Sequence, residues 1–228
     1  NSESFNSDIS NWNTSNVTNM REAFLNATQF NQDISKWNVS MVTDMFRMFW
    51  GTTSFNQDIA NWDTSNVTNM YAVFVNAKSF NGNISNWNVS NVTDMSSMFA
   101  GAISFNQNIG SWDTGNVNNM NNMFREALSF NQDISSWNTS NVIEMNDMFY
   151  QANAFNQPLN SWDVGNVKVF DRMFFNADIF NQDLSSWNVK ESISMISMFS
   201  EAREFNQDLS TWCVPNFTNE PDRFSFDT

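Results

Sequence analysis

Residues 55–79 read FNQDIANWDTSNVTNMYAVFVNAKS, and the rest of the chain repeats that stretch. Trp62 has counterparts at Trp12, Trp37, Trp87, Trp112, Trp137, Trp162, Trp187 and Trp212, each 25 residues apart with no insertion. A fixed period of this size signals a solenoid, propeller or array. Each unit has two halves with different periodicity. Around Trp62 the alternation Asn61, Trp62, Asp63, Thr64, Ser65 has a period of two and reads as a short half-buried strand. Met70, Val73, Phe74 and Ala77 then follow at i, i+3, i+4 and i+7, one face of a short helix, with Thr68 as its N-cap. One strand and one short helix cannot bury Trp62, Phe74 and Phe80, whereas stacked neighbours can.

These features predict an α/β solenoid. It is a right-handed leucine-rich-repeat-like coil of nine 25-residue repeats, with a parallel β-sheet on one face and short helices on the other. With coils roughly 4.8 Å apart, the rod is on the order of 40 Å long. An all-β solenoid with the Met–Phe segment extended is the alternative. The chain of 228 residues forms a single repeat-array domain, 1–228, with regular repeats over 5–204 and an irregular capping repeat over 205–228. In the last repeat Pro215 and Pro221 appear and the helix-start Met is lost. Asn1–Asp8 shows no comparable cap, so the array is expected to be cut from a longer chain.

The Phe, Met and Trp columns are core residues, not a cofactor site. Asn6, Asn31, Asn56, Asn81, Asn106, Asn131, Asn156, Asn181 and Asn206 form an unbroken column, expected to be an asparagine ladder that bonds its own coil and the next.

A net charge of −14 argues against nucleic-acid partners. No run is long and apolar enough to insert into a membrane. The chain has no histidine, so the commonest general base is missing, and no nucleophile–base pair, phosphate loop or zinc cluster is present. The reading is non-enzymatic, with no required cofactor. The Asp column Asp8, Asp33 and Asp58 is a candidate for Ca²⁺ between coils, set against a role in which each Asp caps its own turn. Acids at Asp44, Asp94 and Glu144 are expected at helix N-termini. The outward strand face, centred on Asn61, Asp63, Ser65, Asn86, Asn88, Ser111 and Asp113, is the candidate ligand-binding surface. A further candidate is the aromatic excess on the helix side: Phe46, Trp50, Tyr71, Tyr150 and Phe175. Cys213 is alone, either a buried thiol or the partner of a cysteine outside this chain.

The pattern W-x-V-S-N-V-T-x-M-x-x-M-F-x-x-A-x-x-F-N-x-D-I resembles the bacterial-surface-protein repeat of about 25 residues known from mycoplasma lipoproteins. It is also similar to the BspA-like leucine-rich repeat, with Ile59, Trp62, Thr64 and Val67 in the places of the leucines. The resemblance covers essentially the whole chain. It implies an extracellular or cell-surface module of a larger secreted protein, engaged in adhesion to a protein or glycan on another cell or matrix. It carries no assigned catalytic or binding residues. Array ends of this kind usually have a second cysteine, which fits an unpaired Cys213. A passive spacer and an ice- or ordered-water-binding solenoid are the alternative functions.

Overall fold

The computed structural model describes residues 3–225, so the capping repeat read over 205–228 is seen only as far as Ser225. The 25-residue units stack as coils. Phe24, Phe49, Phe74, Phe99, Phe124, Phe149, Phe174 and Phe199 lie ring on ring at 5.4–5.7 Å. Phe30, Phe55, Phe80, Phe105, Phe130, Phe155 and Phe180 form a parallel column at 5.8–6.0 Å. Within each coil the two columns touch, as Phe99 and Phe105 do at 3.9 Å. The result is one continuous aromatic core, with each interior ring fully buried.

The coils themselves are neither helix nor sheet, which corrects the α/β assignment. Among the described residues there is no helix, and the only β pairing is a row of isolated parallel bridges: Asn19, Asp44, Asn69, Asp94, Asn119, Glu144, Val169 and Ser194. The burial pattern holds and the conformation does not. Met70, Val73, Phe74 and Ala77 are all buried, as helical spacing requires. However, Ala72 and Asn76 have φ of 57° and 55°, and the equivalent residues of the other coils, Arg47 and Gly51 among them, share that left-handed conformation. A left-handed residue at every fourth position ends an α-helix before it starts. The segment is a chain of turns that happens to place i, i+3, i+4 and i+7 inward. The Trp half fails as a strand for a similar reason. Asn61 and Asp63 are exposed and Trp62 and Thr64 buried, as the alternation implies. Yet Trp62 N–H donates to the Ile59 carbonyl and Val67 N–H to the Thr64 carbonyl, which are turn bonds.

A backbone built of turns must still satisfy its polar groups. Residues 45–52 show how it does so. The N–H groups of Met45, Arg47, Phe49 and Gly51 donate to the carbonyls of Asn69, Tyr71, Val73 and Val75 in the next coil. Those of Met48, Trp50 and Thr52 close i→i−3 turns on Met45, Arg47 and Phe49. The N–H of Phe46 donates to Asp44 Oδ1. Alternate peptides thus point along the stack while the rest fold the coil. Thr68 is not an N-cap: its N–H and its hydroxyl both donate backward to the Thr43 carbonyl.

Side chains extend this scheme. The asparagine ladder is continuous: Asn6 Oδ1 accepts the Asn31 N–H at 3.0 Å, and the same bond repeats up to Asn181 and Asn206. Most rungs carry a second donor, the Gln amide of the following coil, as from Gln132 to Asn106. The structure adds a second ladder. Asn66, Asn91, Asn116, Asn141 and Asn166 each donate Nδ2 to a carbonyl of the preceding coil at 2.7–2.8 Å. Trp indole N–H groups make a third, Trp62 donating to the Ile34 carbonyl and Trp87 to Ile59.

Asn106→Ala should therefore destabilise the protein by about 2 kcal/mol, the scale for stranding donors that had a partner. The same change at Asn206, where the ladder ends, should cost a few tenths at most. Chemical denaturation of the two variants measures the difference, and equal costs would mean that the ladder contributes nothing.

Candidate functional site

The Asn and Asp residues that crowd each coil share one local task. An Asx side chain accepts the N–H two residues ahead and so fixes a turn. In one coil Asp33 holds Ser35, Asn38 holds Ser40 and Asp44 holds Phe46, at 2.9–3.0 Å. The candidate strand-face residues belong to this system. Asp63 Oδ1 accepts the Ser65 N–H, Asn88 Oδ1 takes both N–H and hydroxyl of Ser90, and Asp113 Oδ1 accepts the Gly115 N–H. Asn61, Asn86 and Ser111 stand exposed beside them, and the Ser111 hydroxyl donates to the Ser85 carbonyl at 3.5 Å. These seven residues do lie on one face across adjacent coils. Asp63, Asn88 and Asp113 each commit an oxygen to holding a turn, and the face is not a strand.

The Asp column behaves in the same way. Asp8 and Asp33 hold Ser10 and Ser35, while Asp58 reaches across to the Asn83 N–H. Among the described residues no group of three or more acidic, histidine or cysteine side chains gathers to hold a metal ion. Asp44, Asp94 and Glu144 do not sit at helix N-termini, because the described residues form no helix. Asp44 and Asp94 hold turns, and Glu144 accepts the Asn121 amide. Cys213 is exposed and unpaired, which removes the buried-thiol reading. No helix among the described residues is long and apolar enough to cross a membrane.

The opposite face carries a different chemistry. Phe46 and Tyr71 stack at 5.1 Å. The Arg21 guanidinium lies 4.0 Å over Phe46, and that of Arg47 lies 4.7 Å from both Phe46 and Trp50. Arg21 pairs with Asp44 at 2.9 Å, and Arg47 reaches Glu22 only at 3.9 Å. Arg47 Nε is buried without an acceptor. The sequence points to Phe46, Trp50 and Tyr71 but not to the two arginines, since their positions look like solvated turn residues. A second cluster lies further along. Tyr150 stacks on Phe175 at 4.9 Å beneath Arg125. Asp147, only 2% exposed, bonds Arg172 at 2.9 Å and Arg125 at 3.4 Å. The Asp147 bond pushes Arg172 above its ordinary value. Here the charges neutralise one another, so this cluster is the more self-contained of the two.

Two of the surface cavities lie where the repeat departs from its pattern. One, of about 480 Å³, lies under the last coil against Met195, Trp212, Phe217 and Phe224. It exists because Glu220 stands where the other coils insert a core Met or, at Phe170, a core Phe, and Phe224 meets Phe199 edge-on, at 86°, instead of stacking. The other is a polar notch between Asp33 and Gly82.

The turn bonds also set a pH dependence. Hydrogen bonds from Ser10 and Ser35 hold Asp8 and Asp33 below the usual carboxylate range, and Ser65 and Ser135 do the same for Asp63 and Asp133. A depressed folded value stabilises the protein above the unfolded value, and that contribution is lost as pH falls through the folded one. Melting temperature should thus hold at neutral pH and fall below about pH 4. Asp133→Asn, which keeps the turn acceptor, should flatten part of that acid limb in a pH series of thermal melts.

Comparison with known proteins follows this geometry. The family described as "Mycoplasma protein of unknown function, DUF285" matches residues 1–69, 51–155 and 130–227, so that its segments tile the chain. No curated protein matches. A solved structure, "Crystal structure of TLR13-ssRNA13 complex", aligns at 9% identity with a TM-score of 0.25. It covers 82% of this chain, and 43% of that structure's chain is matched. A likeness that faint carries no argument about fold or ligand.

Proposed function

We propose, from the premise that this chain belongs to the DUF285 family, that it is a non-enzymatic binding module acting outside the cell or on its surface, within a larger protein. The observation that carries the reading is the cluster of Arg21, Phe46, Arg47, Trp50 and Tyr71. Trp, Tyr and Arg are the side chains that dominate binding energy when an interface forms around them. Here they are preassembled, with Arg21 exposed and the other four half-buried, so little side-chain freedom remains to be lost on binding. Ladder-braced coils hold the cluster rigidly. Arg47, whose only ion pair among the described residues is 3.9 Å long, keeps donor capacity for a partner at the terminal nitrogens of its part-exposed guanidinium. The favoured partner is another protein, presenting carboxylates to the two guanidinium groups of this otherwise acidic chain. A second reading, a stalk that spaces other domains, is supported by the continuous ladders, which make a stiff rod.

An array of extracellular-matrix proteins and glycans, probed with the wild type, tests the proposal. Binding to a protein target should weaken roughly tenfold or more in Arg47→Ala or Trp50→Ala, the loss typical of a hot-spot side chain. It should survive Asp63→Lys with Asp113→Lys. The reverse pattern moves the contact to the turn face around Asn61 and Asn88, and retention on glycans alone changes the class of partner. A protein that binds nothing is a spacer.

A further inference from the structure

Gly82 interrupts a repeat that otherwise places glutamine after the ladder asparagine from Gln32 onward. At the other rungs that glutamine donates its amide to the asparagine of the preceding coil, as Gln57 does to Asn31 and Gln107 to Asn81. Among the described residues, Asn56 is the only ladder asparagine with a following coil whose Oδ1 receives no such amide; it accepts the Asn81 N–H alone. The backbone has responded. Gly82 lies so close to the coil below that an added Cβ would stand 2.1 Å from the Gln57 carbonyl oxygen. Asp58 has left its own turn to accept the Asn83 N–H, and Ile59 N–H donates to the Asn83 carbonyl. Just beyond, Trp112 Nε1 has lost the carbonyl bond that its neighbours in the Trp column keep.

Beside this close approach lies a polar cavity of about 340 Å³ walled by Asp33, Ser35, Asn56, Gln57, Asp58 and Asn81, with Gly82 at its base. Its character is that of an acceptor. It has two carboxylates, the asparagine oxygen that lacks its amide donor, and the Gln57 carbonyl at the point of closest approach. The amide nitrogen of Gln57 is already spent on Asn31.

We propose that this notch binds a primary ammonium group, such as the end of a lysine side chain or an amino sugar. The ammonium would take the place of the glutamine amide that Gly82 cannot supply, donating one N–H hydrogen bond to Asn56 Oδ1 and the others to Asp33 and Asp58. An ammonium has three donors and no acceptor, which matches the lining. Calcium does not match, since it needs six to eight oxygens and here one oxygen of each carboxylate already holds a backbone N–H. The site lies apart from the aromatic cluster and stands whether or not that cluster binds a partner.

The test is an amide-resolved NMR titration of the whole chain with n-butylammonium chloride. Tetramethylammonium chloride, which has the charge but no N–H, and calcium chloride serve as parallel arms at matched ionic strength. Saturable shifts of Ser35, Asn81, Gly82 and Asn83 are expected with butylammonium only. Gly82→Gln restores the repeat and fills the notch. It should abolish those shifts, at a lowered melting temperature because its Cβ forces the Gln57 carbonyl of the coil below to move. Asp58→Asn should weaken binding roughly tenfold or more, and Asp33→Asn, which keeps its turn acceptor, does the same if Gly82→Gln misfolds. Equal shifts with tetramethylammonium would mean charge screening, and saturation by calcium alone would mean a metal site. Unaltered binding in a folded Gly82→Gln would place the ligand elsewhere. Each of these overturns the proposal.

Discussion

A backbone made of turns cannot close its own hydrogen bonds, and every other feature of this molecule answers to that constraint. In a helix the ladder is internal, and in a sheet it is shared between extended strands. Here each coil folds with i→i−3 bonds and leaves alternate peptides directed along the stack, where only the next coil can meet them. Stranding a buried N–H or carbonyl costs on the order of 1–3 kcal/mol, so an isolated coil has no stable form. The 25-residue spacing is held without insertion because one extra residue would take several such bonds out of register at once.

The composition follows. Asn and Asp are abundant because a short side chain with an acceptor can fix a turn locally or bridge to the neighbouring coil, and this protein uses both. Phe and Trp are abundant because flat rings stack in columns from coil to coil, beside buried columns of Met, Ile and Val. Such a scaffold leaves few polar groups free, since most of those that look like ligands are structural. Functional chemistry is therefore to be sought where the repeat departs from itself: at the arginines and aromatics of Arg21, Phe46, Arg47, Trp50 and Tyr71, and at Gly82.

The sequence made the stacking, the core columns and the asparagine ladder legible, because each depends on identity and period alone. Conformation was not legible. Met70, Val73, Phe74 and Ala77 have helical spacing, but a chain of turns with left-handed residues at Ala72 and Asn76 buries the same four. Nothing in an alanine announces a φ of 57°. The Trp-half alternation likewise reported which side chains face inward without saying that the backbone bends. Of the functional candidates, the aromatic excess was visible as a departure from the repeat. The pairing of Arg47 with Trp50 depends on how the turn aims them, and that only coordinates provide. Gly82 went unremarked in the sequence, because a single changed letter takes its meaning from the ladder that it breaks.

Native-state hydrogen exchange tests the dependence of each coil on its neighbour most directly. The inter-coil amides of Phe99 and Phe124 and the ladder amide of Asn131 should exchange slowly and with one common opening free energy, near that of global unfolding. Protection should decline toward Phe24 and Phe199 at the two ends. Rapid exchange at Phe99, Phe124 and Asn131 in a protein that still melts cooperatively would contradict it, because the bonds between coils would then not be what holds them together.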